Sequence, residues 1–169
     1  MILKIKLSIH KIIRVIRGYL VLRQVKSHKN EIYVGGYTRL SDQTILCKNP
    51  NFNGMIVNGY GEVFFGDNFH SGCDCLIITS NHNYDFGKKI PYDETHIIKK
   101  VIIHDNVWFG DRVIVLGGVE IGEGAIVQAG AVVVKNIPAG AIAGGNPAKV
   151  FKYRNMEHYY DLKSKGLFH

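Results

Sequence analysis

Eight histidines are spread along the 169 residues, and they are the side chains best suited to proton transfer here. A neutral imidazole has a free pKa close to working pH, so it can take a proton and give it back. His82 stands in Ser80-Asn81-His82 and opens a polar, aromatic stretch that runs on through Asn83, Tyr84 and Asp85. His96 and His104 are its rivals on chemistry alone. A carboxylate can hold such a base in place, and Asp85, Asp93 and Glu94 are the nearby choices. The sequence does not choose among them.

Metal chemistry is not expected. Cys73-Asp74-Cys75 is too tight for a usual zinc pair, and His70, His82, His96 and His104 do not recur at a spacing that would stack ligands. With Cys47 the thiols are odd in number and follow no secretory leader. They read as reduced, cytosolic, small buried packing groups.

The formal charge of +7 favours anionic partners. Lys and Arg do not gather in a consecutive run, which points to local anion sites rather than to a nucleic-acid tail. Residues 1–26 form an amphipathic segment. Ile9, Ile12, Ile13, Ile16 and Leu20 recur at helical spacing among Lys11, Arg14 and Arg17. The uncharged runs fall short of the roughly 20 residues a membrane span needs. This helix is expected to pack on the main domain or on a neighbouring subunit, with contact to an anionic membrane surface as the second reading.

The elements that position these side chains follow from a beat of six. Val101, Val107, Val113, Val119, Ala125, Ala131, Ile137 and Ala143 are spaced by six. Ile103, Phe109, Val115, Ile121, Val127 and Val133 follow the first six of them two places later. A helix would walk such a pattern around its surface. A short strand plus a turn keeps it, with residues i and i+2 on one side of the strand. Three units make a triangular coil, and stacked coils bury a continuous strip of aliphatic side chains. Val57, Val63, Phe65, Phe69, Ser71, Cys75 and Ile77 carry the same beat earlier. His104 falls at a corner, where a turn role suffices for it. The step from Phe65 to Ile103 is thirty-eight residues, two more than a multiple of six. A loop at about 79–100 is therefore expected to leave the solenoid. Residues 27–153 form the β-helix, and 154–169 a C-terminal helix that covers its open end and stops at Gly166.

The ordered set Val107-Trp-Phe-Gly, Gly118-Val-Glu-Ile-Gly, Ala129-Gly-Ala-Val-Val, Ile137-Pro and Gly144-Gly-Asn-Pro-Ala-Lys-Val resembles the hexapeptide-repeat acyltransferases over roughly residues 55–154. The nearest kinds are the galactoside, maltose and nodulation O-acetyltransferases and the xenobiotic acetyltransferases. The resemblance implies an all-β, left-handed parallel β-helix. It also implies acetyl-CoA as cosubstrate and a homotrimer with active sites between subunits. It matches His82 to the general base and the backbone N–H of Asp111, after Gly110, to the oxyanion donor. Asp is a departure from the small polar residue common there. Trp108 lies near the active site in the relatives. Ala129 and Gly130 offer close backbone approach to the pantetheine arm. Lys135, Lys152 and Arg154 are matched to the phosphates of CoA. Asn53, Asn58, Asn81, Asn83, Tyr84 and Asp85 are the acceptor-binding candidates. The expected activity is O-acetylation of a sugar or glycoconjugate precursor in polysaccharide biosynthesis, in the cytoplasm or at its membrane. Antibiotic acetylation and amino-sugar N-acetylation are the alternatives, and a non-catalytic or metal-binding β-helix is a distant one.

Overall fold

The computed structural model describes residues 2–29 and 32–169, with side chains from residue 10 onward. The six-residue beat becomes a parallel β-solenoid. Its first coil holds β1 (Ser27–His28), β2 (Tyr33–Val34) and β3 (Thr38–Arg39). The second holds β4 (Thr44–Leu46), β5 (Asn51–Phe52) and β6 (Met55–Asn58), and the third β7 (Val63–Phe65), β8 (His70–Ser71) and β9 (Cys75–Ile78). A ribbon of β10 (Ser80–His82) and β11 (His96–Ile98) then interrupts the stack. The fourth coil follows with β12 (Val101–Ile103), β13 (Trp108–Phe109) and β14 (Ile114–Leu116), and the fifth with β15 (Glu120–Ile121), β16 (Ile126–Val127) and β17 (Val132–Val133). A sixth begins with a bridge from Ile137 to Ile121 and continues through β18 (Ala141–Gly144).

These strands stack into three flat faces. Face A runs β1-β4-β7-β12-β15, face B β2-β5-β8-β13-β16-β18, and face C β3-β6-β9-β14-β17. Every residue of the two six-spaced series from 101 to 143 is buried, none more than 4% exposed. The small residues Ala125, Ala131 and Ala143 fill the narrow upper interior. Lower down, Phe52, Phe65, Phe69 and Phe109 pack edge-on or tilted with ring centroids 4.7–5.5 Å apart. Ser71 is buried in the same interior.

The corners explain the polar residues of the repeat. Between faces A and B, Asn49, Asn68 and Asn106 take φ of 53°, 55° and 58°. Asn tolerates this left-handed region better than most side chains. Their amides form a ladder, Asn49 Nδ2 donating to Asn68 Oδ1 (3.1 Å) and Asn68 Nδ2 to Asn106 Oδ1 (2.9 Å). Asn106 Nδ2 then donates to the Tyr159 hydroxyl at 2.8 Å. The next rung is Gly124 (φ +68°), and a Cβ there would touch the Tyr159 ring at 3.0 Å.

Tyr159 belongs to α2 (Met156–Ser164), capped by Asn155, whose side chain accepts from the His158 amide. The tyrosine donates to Glu123 Oε1 (2.8 Å), which Lys163 also binds. Burial works against the Glu123 carboxylate, but these two donors outweigh it and hold its pKa below the ordinary value. The C-terminal helix of the sequence reading is thus present, and it covers the last rungs from the AB edge. The end of face B is closed by β19 (Lys149–Tyr153), which pairs antiparallel with β18.

The N-terminal helix docks on the solenoid through a side other than its apolar stripe. α1 (Ile2–Leu22) docks on the first coil through Gly18 and Val21, which are buried. Arg17 Nη1 donates to the Gly35 carbonyl at 2.7 Å, and Arg14 lies over the Tyr33 ring at 5.1 Å. The apolar stripe faces away from the main domain, which leaves a neighbouring subunit or a membrane surface as its partner. Ile12, Ile13, Ile16 and Leu20 are exposed by 38–58%. The side chain of Ile9 lies outside the described residues. The three thiols are not all buried as expected. Cys47 and Cys75 are buried, but Cys73 is exposed, because it stands on the corner just before Asp74 (φ 55°).

Candidate functional site

The break in the beat carries the candidate base. Phe65 pairs with Ile103 and Val63 with Val101 in adjacent parallel strands, so the long step stacks as one coil with a ribbon thrown out of its corner. Thr79 anchors that ribbon and is fully buried. Its hydroxyl donates to the Asn58 carbonyl and accepts from the Gly61 amide, both at 3.0 Å on the coil below. Its carbonyl accepts from the Lys99 amide at 2.8 Å, closing the ribbon's base. β10 and β11 then pair antiparallel, with His82 opposite His96.

The His82 side chain is exposed and sits in a row of rings. It stacks on Tyr92 with centroids 3.6 Å apart and planes 11° apart. His96 lies 4.8 Å from it, and Tyr60 packs edge-on to His96 at 5.1 Å. The carboxylates read as orienting partners are engaged elsewhere or exposed. Asp93 is buried and accepts from the Thr95 hydroxyl (2.6 Å), the Thr95 amide (2.9 Å) and the Lys88 amide (2.7 Å). Those donors hold its pKa down to about 2, the Thr95 hydroxyl contributing most. Glu94 pairs with Lys89 at 2.6 Å, and Asp85 is exposed. Among the described residues, the group packed flat against the imidazole is the ring of Tyr92. No sequence period could have shown this, because Tyr92 reaches His82 only through the path of the loop.

The other candidate residues fall into groups along the solenoid. Asn58 lies on the CA edge in the coil below the ribbon, where it accepts from Arg39 Nη2 at 2.7 Å. Asn81, His82, Tyr84 and Asp85 are exposed on the ribbon or its loop, and Asn83 Oδ1 accepts from the Phe86 amide at 3.1 Å. Lys135 is exposed on the same edge, beyond β17. Asn53, Gly110, Asp111, Ala129 and Gly130 line the BC edge instead. Asn53 Nδ2 is spent on the Ser71 carbonyl at 2.9 Å. The CA and BC edges are separated by the width of face C, on the order of 15 Å.

Asp111 has a structural explanation that the sequence did not supply. Its Oδ1 accepts from the Cys73 amide at 2.8 Å, tying two coils together at the corner. Asp105 does the same for the Asp67 amide at 2.7 Å, and Asp67 for the Lys48 amide at 2.8 Å. The acidic side chain is turned into the stack. Above it, Gly130 has φ +73°, and a Cβ there would meet nothing within 4 Å. The backbone of this corner is open to approach. That suits an extended amide-bearing chain such as a pantetheine arm.

Trp108 is 53% exposed on face B, in register with His70 and Ile126. Together with α2 and the C-terminal residues it walls a groove of about 340 Å³. His70 stacks against His169 in that groove with centroids 5.1 Å apart, and burial, then the neighbouring imidazole, lowers its pKa. Lys152 is exposed on β19. Arg154 is engaged within the chain. Its Nη1 donates to the Gly124 carbonyl at 3.0 Å, and its guanidinium lies over the Tyr159 ring at 5.0 Å.

Comparison with known proteins agrees with this architecture. Residues 100–135 match the family model described as bacterial transferase hexapeptide (six repeats). A hexapeptide-repeat acetyltransferase of Vibrio cholerae, solved with acetyl coenzyme A, superposes with a TM-score of 0.55 at 26% identity, covering 77% of this chain and 66% of that one. A maltose O-acetyltransferase of Clostridium difficile superposes with a TM-score of 0.52 at 26% identity, covering 75% and 65%. The 2,3,4,5-tetrahydropyridine-2,6-dicarboxylate N-acetyltransferase of Staphylococcus aureus is 54% identical over 52 residues, 31% of this chain and 22% of that protein. The chain spans less than half the length of the curated relatives it matches. The resemblance to hexapeptide-repeat acyltransferases therefore holds in the repeat, in the fold and in local sequence.

Proposed function

We propose that this hexapeptide-repeat solenoid is an acetyl-CoA-dependent O-acetyltransferase acting on a sugar or glycoconjugate hydroxyl, with His82 as general base. The observation that carries the reading is the placement of His82. The long break in the repeat throws out a ribbon that ends in an exposed imidazole held flat against Tyr92. The polar and aromatic side chains around it suit a hydroxyl-rich acceptor.

The chemistry is direct transfer. Neutral His82 takes the proton of the acceptor hydroxyl as its oxygen attacks the thioester carbonyl. The Asp111 amide N–H donates to the oxyanion that forms. As the carbonyl re-forms, the carbon–sulfur bond breaks, and the imidazolium returns its proton to the departing thiolate. The products are the acetyl ester and free CoA. Gly130 and Ala129 would line the pantetheine arm, while Lys135 and Lys152 would meet its phosphates. Arg154, already bonded to Gly124 and stacked on Tyr159, is the weakest of the matched phosphate partners.

The base must lie within hydrogen-bond reach of the acceptor hydroxyl, and the oxyanion donor within reach of the carbonyl oxygen that this hydroxyl attacks. The two therefore stand only a few ångströms from one reacting centre. His82 and Asp111 stand on different edges of one solenoid, so the shared site requires two copies of the chain. A trimer with a site at each junction satisfies this.

The test is acetyl-CoA turnover across a panel of sugar acceptors, followed by free-thiol release, in the wild type and in His82→Ala and His82→Asn. Both variants should lose at least about a hundredfold in kcat while binding CoA normally. Near-normal turnover in either would refute the base assignment. Transfer to amino sugars but not to hydroxyls would refute the O-acetyl reading.

A further inference from the structure

The formal charge of +7 is not shared evenly. Residues 1–30 hold eight of the 21 Lys and Arg and none of the 14 Asp and Glu. The remaining thirteen cations and fourteen acids nearly cancel, so the excess positive charge of the protein belongs to its N-terminal segment. α1 accounts for most of that segment.

The helix is also mounted with its apolar face outward. Gly18 and Val21 are buried against the first coil, Arg17 is bonded to the Gly35 carbonyl, and Arg14 lies over Tyr33. At 100° per residue the opposite side gathers Ile12, Val15, Ile16, Tyr19 and Leu20. All five are exposed, by 52% to 73%. Lys11 flanks this face, and Arg23 lies by Tyr19 at its C-terminal end. No helix among the described residues is long and apolar enough to cross a membrane.

We propose that α1 seats the protein on an anionic phospholipid surface. Its apolar face would lie in the headgroup boundary and its flanking cations against lipid phosphates. A basic helix with a large apolar face and low net hydrophobicity adsorbs in the plane of a bilayer in this way. A second copy of the same helix is a poorer occupant of that face. It would set cation against cation with no acid in either helix to pair them. The inference does not depend on acetyl transfer. Docking through Gly18, Val21 and Arg17 would hold the first coil against the membrane.

The test is flotation of the full chain with vesicles of pure phosphatidylcholine and with vesicles in which about a third of the lipid is phosphatidylglycerol. Binding to the anionic vesicles only, weakening as salt is raised, is the expected result. The double variant Ile12→Ser with Ile16→Ser should lower partitioning at least about tenfold. Lys11→Glu should lower it about fivefold or more, since each cation near such a surface contributes about that factor. Both variants change exposed side chains, so their thermal midpoints should stay near the wild type and exclude misfolding. Equal binding to neutral vesicles, or none to anionic ones, would overturn the proposal. So would a change in the light-scattering mass of the lipid-free protein on losing Ile12 and Ile16, which would make the face a subunit contact.

Discussion

Among the described residues, His82 is packed against a ring rather than hydrogen-bonded to Asp93 or Glu94. Asp93 spends its oxygens on Thr95 and Lys88, and Glu94 on Lys89. What fixes the imidazole plane is Tyr92, stacked 3.6 Å away. Aromatic pairs of this kind contribute roughly 0.5–1.5 kcal/mol beyond burial, enough to change the population of a productive ring orientation by up to about tenfold. Tyr92→Ala should therefore lower kcat by up to about tenfold and leave CoA affinity unchanged, whereas Tyr92→Phe keeps the ring and should keep the rate. Measuring kcat, KM and CoA affinity together separates positioning from binding. Wild-type kcat in the alanine variant would remove Tyr92 from the site. The buried Cys75, by contrast, has its thiol pushed up to about 11 by burial, which marks it as a packing group rather than a nucleophile.

The ribbon depends on one buried hydroxyl at its root. Thr79 joins the Asn58 carbonyl and the Gly61 amide on one coil to the Lys99 amide just past β11. Thr79→Val keeps the shape and deletes the hydroxyl. It leaves the buried Gly61 N–H without its acceptor, a cost of about 1–3 kcal/mol. Denaturant unfolding should show that loss, and hydrogen exchange should show faster opening in residues 80–98 than in the coils. Uniform exchange across the chain would mean that Thr79 does not govern the ribbon separately. The coils themselves were legible in the sequence because a core-facing pair every six residues leaves a period, and each residue from Val101 to Ala143 in that series is indeed buried. The ribbon was legible only as a gap. Its antiparallel pairing, the contact of Tyr92 with His82 and the inward turn of Asp111 arise from non-local contacts that leave no period. The mounting of α1 was left open between the main domain, a neighbouring subunit and a membrane surface for a related reason. Periodicity shows that a helix has an apolar side but not which way that side is mounted.

At the scale of the molecule, the two halves of the proposed chemistry stand on different edges of the solenoid, about one face-width apart. A subunit with a dead base and one with a blocked CoA edge should then rescue each other, which no single-chain site allows. His82→Ala removes the base, and Ala129→Tyr fills the exposed corner beside Gly130 with a ring without disturbing the core. Each homogeneous protein should be inactive. In mixed trimers formed at random from equal amounts, a junction works when the base comes from the chain with the blocked corner and the corner from the chain without the base. By counting, this is about one junction in four, so about a quarter of wild-type activity should return after co-refolding. Light scattering on the same samples should give three times the 18.9 kDa chain mass. A monomeric mass, or a trimer with no recovered activity, would end the shared-site reading while leaving the solenoid fold untouched.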